Sequence, residues 1–176
     1  MELTQALSIE EQLVAELERL GIRYLSRLMP ESAKQVRNPG VLLADLILQP
    51  SSRVRTAVIA LLLAHPEYAS SIPIALARLQ EMDQLALKLF YTAAVWLQRQ
   101  HAARLQVYLR ERWQWLPDLF STGLGLSIEQ STQENLRQLG EIHRQLSGIA
   151  ANWVGTYQNV ALQLLRRWDL EKQWNQ

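Results

Sequence analysis

The chain has 176 residues, 48% of them hydrophobic, and its 18 basic and 17 acidic side chains give a net charge of +1. This length is enough for one domain to bury a core unaided, and the balanced charge gives no overall field that would attract nucleic acid or anionic lipid. There is no cysteine, which excludes disulfides, thiolate chemistry and Cys-ligated metal sites. No basic start followed by an apolar stretch opens the chain, so we expect a cytoplasmic protein without a signal peptide or membrane contact.

Helical periodicity runs along the whole chain, and no segment alternates between apolar and polar residues with period two. Residues 8–11, Ser-Ile-Glu-Glu, have the form of a capping box, which predicts that the first helix begins there. Gly21 weakens this helix or ends its first part, and Pro30 stops it. Residues 31–38 then read as a polar connector.

Three further helices are predicted before residue 81. Pro39 suits a helix start, and a short apolar helix covers residues 41–48. Ser51 and Ser52 offer a cap for a helix over residues 53–65, which is apolar nearly all round and should therefore be central. The His65-Pro66 step closes it, and another helix runs over residues 72–80.

Asp83 is predicted to cap a long helix that passes Trp96 and either continues or bends near His101. We expect that helix to reach Trp115 and to end at Pro117. The following residues, 121–126, contain two glycines and are predicted to form a flexible joint.

The last part of the chain is predicted to form a helical hairpin. Ser127 opens a second candidate capping box, followed by a helix to about Leu146 and a last helix to about Trp174. We therefore expect residues 1–176 to form one domain, with a helical array over residues 1–120 and a C-terminal hairpin over residues 127–176.

Residues 54–61, Val-Arg-Thr-Ala-Val-Ile-Ala-Leu, resemble the inner helix of a HEAT-type repeat, which often reads Val-Arg-x-Ala-x-x-Ala-Leu. The resemblance covers residues 39–80. The next helix pair, residues 72–97, keeps the size of a repeat without its signature. The resemblance implies an all-α fold of stacked antiparallel helix pairs, a scaffold whose usual role is to recognise a protein or a nucleic acid.

Arginine supplies 15 of the 18 basic residues, and several arginines alternate with tryptophan late in the chain. Such mixtures suit protein interfaces, and they also suit nucleic-acid backbones and stacked bases. Arg99, Arg110 and Arg112 do not share one helical face, which favours scattered, solvated arginines over a compact nucleic-acid patch. The candidate binding residues are Arg99, Arg104, Arg110, Arg112, Trp113, Arg166, Arg167 and Trp168.

Arg137 and His143 are separated by five residues, which resembles the Arg-x(4–6)-His signature of HEPN-type helical ribonucleases. In that family the two residues lie at a dimer interface and act on the RNA phosphodiester. The resemblance implies that His143 exchanges protons while Arg137 stabilises phosphate charge. The alternative is a solvated helical pair, and Gln138 fits only loosely the small polar residue that the family favours after the arginine.

No other pattern predicts a site for chemistry. Glu141 and His143 lie two residues apart and face different ways on a helix, so they do not form a metal-ligand pair. The Gly123-Leu124-Gly125 segment lacks the preceding strand that a dinucleotide-binding loop needs. We expect no metal and no cofactor.

The expected function is therefore that of a non-enzymatic protein-interaction module: an adaptor, an inhibitor or a subunit of a larger complex. Two alternatives stay open, namely a HEPN-like ribonuclease or inactive relative using Arg137 and His143, and a nucleic-acid-binding helical protein. Another protein is the expected partner, and assembly of the chain with copies of itself also stays open.

Overall fold

The computed structural model describes residues 7–25 and 36–176, and within these ranges it contains eight α-helices and no strand. The prediction of an all-helical fold is confirmed. The helices are α1 (Ile9–Arg19), α2 (Pro39–Ile47), α3 (Ser52–Ala64), α4 (Ile72–Ala77), α5 (Glu81–Gln100), α6 (Ala102–Leu109), α7 (Thr132–Ser147) and α8 (Trp153–Trp174). Short 3-10 helices cover Pro66–Ser71 and Arg110–Arg112.

The first helix begins as predicted and ends just before Gly21, as one of the two predicted alternatives has it. Ser8 Oγ accepts a hydrogen bond from the Glu11 amide at 3.2 Å, and the Glu11 carboxylate accepts one from the Ser8 amide at 2.8 Å. Helix α1 stops at Arg19 because Gly21, with φ +91°, turns the chain through a left-handed conformation. The prediction that Gly21 ends the first part of the helix is therefore confirmed, whereas Pro30 and most of the predicted connector lie outside the described residues.

Helix α3 is the centre of the fold, as its apolar sequence predicts. From Val54 to Ala64 every residue except Arg55 is buried, and the helix contacts α1, α2, α5, α6 and α8. No single helix in the described ranges is long and apolar enough to cross a membrane. Helix α3 and Pro66–Ala77 reach that length and apolar character only when taken together, and the chain bends by 117° between them.

The long helix expected after residue 80 is broken. Gln80 occupies its N-cap position, so the prediction that Asp83 caps it is wrong, and Asp83 lies in the first turn. The break falls at His101, as one of the two alternatives predicted, and α6 then ends at Leu109 rather than near Pro117.

The residues after α6 pack back against α5. The side chain of Gln98 is buried and binds the backbone of this extended segment at two positions. Its Nε2 donates to the Gln114 carbonyl at 2.9 Å, and its Oε1 accepts from the Leu116 amide at 2.8 Å. Trp96 Nε1 donates to Ser121 Oγ at 3.1 Å. Residues 121–126, predicted as a flexible joint, form a turn whose two ends are buried, with Ser121 1% and Leu126 5% exposed.

Helix α7 begins four residues later than predicted. Ser131 is its N-cap and accepts a hydrogen bond from the Glu134 amide at 3.1 Å. Ser127 instead forms a local turn with Glu129, and its carbonyl accepts from Asn135 Nδ2 at 2.9 Å. The second candidate capping box is therefore wrong.

Helices α7 and α8 pack against each other across the connection 148–152, in which Gly148 adopts a left-handed conformation with φ +70°. They are not an appendage: α7 packs on α5, and α8 packs on α3. One hydrophobic core extends through the described residues from Leu13 to Leu165.

Candidate functional site

A groove of about 370 Å³ lies between the turn after α1, the end of α6 and the last turns of α8. We call it the Trp168 groove. Three of the eight sequence-predicted binding residues, Arg110, Arg112 and Trp168, line it. Its other lining residues are Leu20, Gly21, Val107, Tyr108, Glu171, Lys172 and Asn175.

The aromatic wall of the Trp168 groove is held by hydrogen bonds. Trp168 Nε1 donates to the Gly21 carbonyl at 2.9 Å, and the Trp168 and Tyr108 rings lie 5.2 Å apart between centroids. The Tyr108 hydroxyl donates to the Asp169 carboxylate, which also pairs with Arg104 at 2.8 Å. Burial, and then the bond to Asp169, raise the pKa of Tyr108 to about 12, so this hydroxyl stays protonated.

Arg110 has an unusual backbone conformation at the rim of the Trp168 groove. Its φ is +51° and its ψ is −116°, and it is the one non-glycine residue with positive φ in the described ranges. Residues other than glycine rarely adopt such backbone angles. They cost on the order of 1–3 kcal/mol and concentrate at functional sites. The side chain of Arg110 is exposed, with no ion pair or hydrogen bond to the described part of the chain.

The Trp168 groove carries an excess of positive charge. Its single acidic lining residue, Glu171, is compensated by Arg23 at 2.9 Å and by Arg167 at 3.1 Å. Lys172 and Arg110, in contrast, have no acidic partner among the described residues. An anionic group entering the groove would therefore meet cations that are free to pair with it.

Of the candidate binding residues other than Arg110 and Trp168, only Arg112 lines the groove. Arg112 lines the groove and donates to the Ala64 carbonyl at 3.3 Å. Arg99 lies over the Trp96 ring at 4.6 Å, and Trp113 packs on Trp115 with 5.0 Å between ring centroids. None of these last side chains lines the Trp168 groove, and neither do Arg104, Arg166 and Arg167.

Arg137 and His143 lie in different environments on α7. Arg137 is exposed and makes two hydrogen bonds to Glu134, at 3.0 and 2.7 Å. His143 is 3% exposed, stacks on Trp153 with 3.6 Å between ring centroids, and has Nδ1 2.5 Å from the Tyr157 hydroxyl. The structure does not bring the two side chains together.

The charge state of His143 follows from its surroundings. Burial, and then the charge of Arg55, lower the pKa of His143 to about 4. The ring is therefore neutral at neutral pH. A buried neutral imidazole that is stacked and hydrogen-bonded has the environment of a core residue.

Tyr108 and Lys172 line the groove but are not among the binding residues predicted from the sequence. A signal for each was present, because Arg104 precedes Tyr108 and Trp168 precedes Lys172 by four residues, one helical turn. The contribution of Gly21 had no such signal, since it is brought to Trp168 by the turn after α1.

Comparison of the chain with known protein families finds no match, and comparisons with curated proteins and with solved structures find none either. Among the residues that the structure describes, no three His, Asp or Glu side chains gather as a metal site would require.

Proposed function

We propose that this chain is a non-enzymatic protein-interaction module, acting as an adaptor, an inhibitor or a subunit of a larger complex. The Trp168 groove receives an acidic segment of the partner that carries one large apolar side chain. The observation that carries this proposal is an aromatic-walled groove of about 370 Å³ that also contains cations without acidic partners. Aromatic and arginine side chains are the residue types that most often anchor protein interfaces.

The apolar part of the partner is expected to pack on Trp168 and Tyr108. Both rings are already held in place, Trp168 by the Gly21 carbonyl and Tyr108 by Asp169, so little side-chain freedom is lost when the partner binds. Val107, which also lines the groove, is 54% exposed and extends the apolar surface. The volume suits one or two side chains of a peptide segment.

The acidic part of the partner is expected to pair with Arg110 and Lys172. Because Arg23 and Arg167 compensate Glu171, no uncompensated carboxylate within the groove repels an incoming acid. Rim charges of this kind mainly accelerate association, so binding should weaken as salt rises. The strained backbone of Arg110 supports the assignment, since such strain concentrates where a side chain must be presented to a ligand.

The scaffold proposed for this module is HEAT-like, with α2 and α3 as one helix pair. Contacts of α2 with α3 and α4, and of α3 with α5, support stacking of neighbouring pairs. Stacked pairs present continuous surfaces to partners.

The two other functional classes are less well supported by the geometry. A HEPN-like nuclease needs Arg137 and His143 exposed together, whereas His143 is 3% exposed and Arg137 pairs with Glu134. A nucleic-acid binder needs a continuous basic surface, whereas the candidate arginines are dispersed: Arg99 lies over Trp96, Arg104 pairs with Asp169, and Arg167 pairs with Glu171. Binding of nucleic acid is an outcome that the following experiment can return.

The first experiment is a pull-down from the native host, with and without nuclease, analysed by mass spectrometry. The wild-type chain is compared with a double variant carrying Arg110→Glu and Lys172→Glu, and with a control carrying Arg78→Glu and Arg166→Glu, which reverses the same number of charges. Arg78 is exposed and does not line the groove. Arg166 lies on α8, is exposed and does not line the groove. We expect a stoichiometric protein partner that survives nuclease, is retained by the control and is lost by the double variant.

A direct selection then tests the chemistry of the partner. Random peptides displayed on phage and selected on the wild-type chain should converge on acidic residues around one aromatic or aliphatic residue, and these peptides should not bind the double variant. Peptides without acidic residues, or a protein partner that the double variant retains, would contradict the proposed groove. Recovery of nucleic acid alone, lost after nuclease, would contradict the protein-interaction function itself.

A further inference from the structure

A second groove, which we call the Arg55 groove, lies among the first turns of α3 and α5 and the connection between α7 and α8. Its volume is about 220 Å³, below the range of about 300–1,000 Å³ that is typical of sites for larger ligands. One side is apolar, formed by Leu85, Leu89, Phe90 and Trp153. The other side is polar and is formed by the start of α3.

Arg55 is the unusual feature of this groove. Its Nε atom is buried from water and has no hydrogen-bond partner, and its guanidinium has no ion pair within the described part of the chain. The guanidinium as a whole is partly exposed and lines the groove without a carboxylate partner, so Arg55 is suited to a bound anion.

The start of α3 adds to the positive potential beside Arg55. Ser51 occupies the N-cap position without accepting a hydrogen bond from the helix, and no acidic residue lies in the first turn. The first amides of this 13-residue helix therefore lack side-chain partners among the described residues, and Ser52 at this end lines the groove. Free amides and the helix dipole favour an anion at this position.

Two further titratable groups line the groove. His143 is held at Nδ1 by Tyr157, and its Nε2 makes no hydrogen bond within the described residues, which leaves that atom for a ligand. Asp83 lines the groove from α5 and is not within ion-pair distance of Arg55. Its negative charge opposes a ligand with several charges and favours placing a single carboxylate at the α3 side.

We propose that the Arg55 groove binds a small carboxylic acid with a compact apolar body, its carboxylate on Arg55 and the first amides of α3, and its body against Phe90 and Trp153. This site is separate from the Trp168 groove and does not depend on the function proposed above. The single charge matches one guanidinium, and the small volume limits the body to a short alkyl chain or one aromatic ring.

The test uses 3-phenylpropionate as the probe and 3-phenylpropan-1-ol as its uncharged counterpart, titrated into the whole chain and followed by amide chemical shifts. The amides of Ser52 and Val54 should shift with the acid. We expect the acid to bind about ten-fold or more tightly than the alcohol, because a charge-assisted hydrogen bond is made only by the acid. Inorganic phosphate should bind more weakly than the acid, since it has no apolar body.

Three variants locate the charge. Arg55→Gln should reduce affinity for the acid about ten-fold or more and leave affinity for the alcohol unchanged. Asp83→Asn should strengthen binding of the acid by removing repulsion. Arg53→Gln is the matched control, because Arg53 is exposed, does not line the groove and reaches the Tyr24 carbonyl instead.

Several results would overturn the proposal. They are equal affinity for the acid and the alcohol, an unchanged affinity of Arg55→Gln for the acid, and phosphate binding as tightly as the acid. Absence of acid binding up to about 10 mM would do the same. If circular dichroism shows Arg55→Gln to be unfolded, Arg55→Lys replaces it, and the comparison of acid with alcohol on the wild-type chain still decides.

Discussion

His143 should make the stability of this protein depend on pH in a direction and size that follow from its surroundings. The ring is 3% exposed, stacked on Trp153 and hydrogen-bonded to Tyr157, with the charge of Arg55 nearby. Burial first, and Arg55 second, lower its pKa from 6.5 to about 4. The unfolded chain therefore takes up a proton near pH 6.5, whereas the folded chain takes it up only near pH 4.

Because the unfolded state binds the proton first, acidification between these two values favours unfolding. Stability is fully present above pH 6.5 and is lost as pH falls towards 4. At about 1.4 kcal/mol for each pH unit, the complete loss is about 3 kcal/mol, and the loss already reached at pH 5 is about 2 kcal/mol. This is a large share of a typical stability of about 5–15 kcal/mol.

The assay is urea unfolding, followed by circular dichroism, of the wild-type chain and of His143→Asn at about pH 7.5 and pH 5.0. Asparagine can still form a hydrogen bond with Tyr157 and does not titrate. Other groups with shifted pKa values contribute equally to both proteins, including Glu16, whose pKa is raised by burial, and His101, whose pKa is lowered by burial. Between the two pH values the wild type should lose about 2 kcal/mol more than the variant.

Parallel losses in the wild type and the variant would refute the reasoning, because they would mean that His143 is protonated equally easily in the folded and unfolded chains. If the variant is already unfolded at neutral pH, the titration of His143 is measured directly in the wild-type chain. The nuclear magnetic resonance signal of its ring in the folded wild type should then titrate near pH 4, and a midpoint near 6.5 would contradict the burial.

Three further substitutions test packing, pairing and strain. Gly140→Ala should destabilise the fold by about 1–2 kcal/mol in thermal unfolding, because its Cβ would lie 2.7 Å from Val154 Cγ2, and adding Val154→Ala should recover part of the loss. Arg37→Met should cost about 3–5 kcal/mol in urea unfolding by stranding the buried carboxylate of Glu16, and a loss below about 1 kcal/mol would indicate a solvated pair. Arg110→Gly should raise stability by about 1 kcal/mol in calorimetry while weakening partner binding, and an unchanged melting temperature would contradict the backbone strain.

The capping patterns in the sequence predicted the start of a helix correctly where the segment offered a single pattern, and not where it offered two. Ser8 is followed three residues later by Glu11, and both hydrogen bonds of the capping box form. Near residue 130 the chain offers two such patterns, since Ser127 precedes Gln130 and Ser131 precedes Glu134 by three residues. In the structure Ser131 is the N-cap and Asn135 holds the Ser127 carbonyl, a side-chain contact that periodicity does not contain.

The end of α6 could not be predicted for a related reason. The pattern of residues 102–115 allows a helix throughout, but Gln98 uses its side-chain amide to bind residues 114 and 116 as an extended segment. A buried glutamine on an apolar helix face is a weak signal of such a role. Assembly of the candidate site was equally hidden, because the Trp168 groove joins segments that lie far apart in the chain and depends on the turn at Gly21.

Because α3 is central, the molecule is not expected to divide into fragments that fold separately. This helix contacts five of the other seven helices described, and all but one of its residues from Val54 to Ala64 are buried. A chain cut after Leu126 would remove α8 from one side of α3 and leave an apolar surface open to water. We therefore expect neither piece to fold alone. The backbone amides in the buried part of α3, from Thr56 to Ala64, should exchange their hydrogens only when the whole molecule unfolds, which makes their exchange rate a direct measure of global stability.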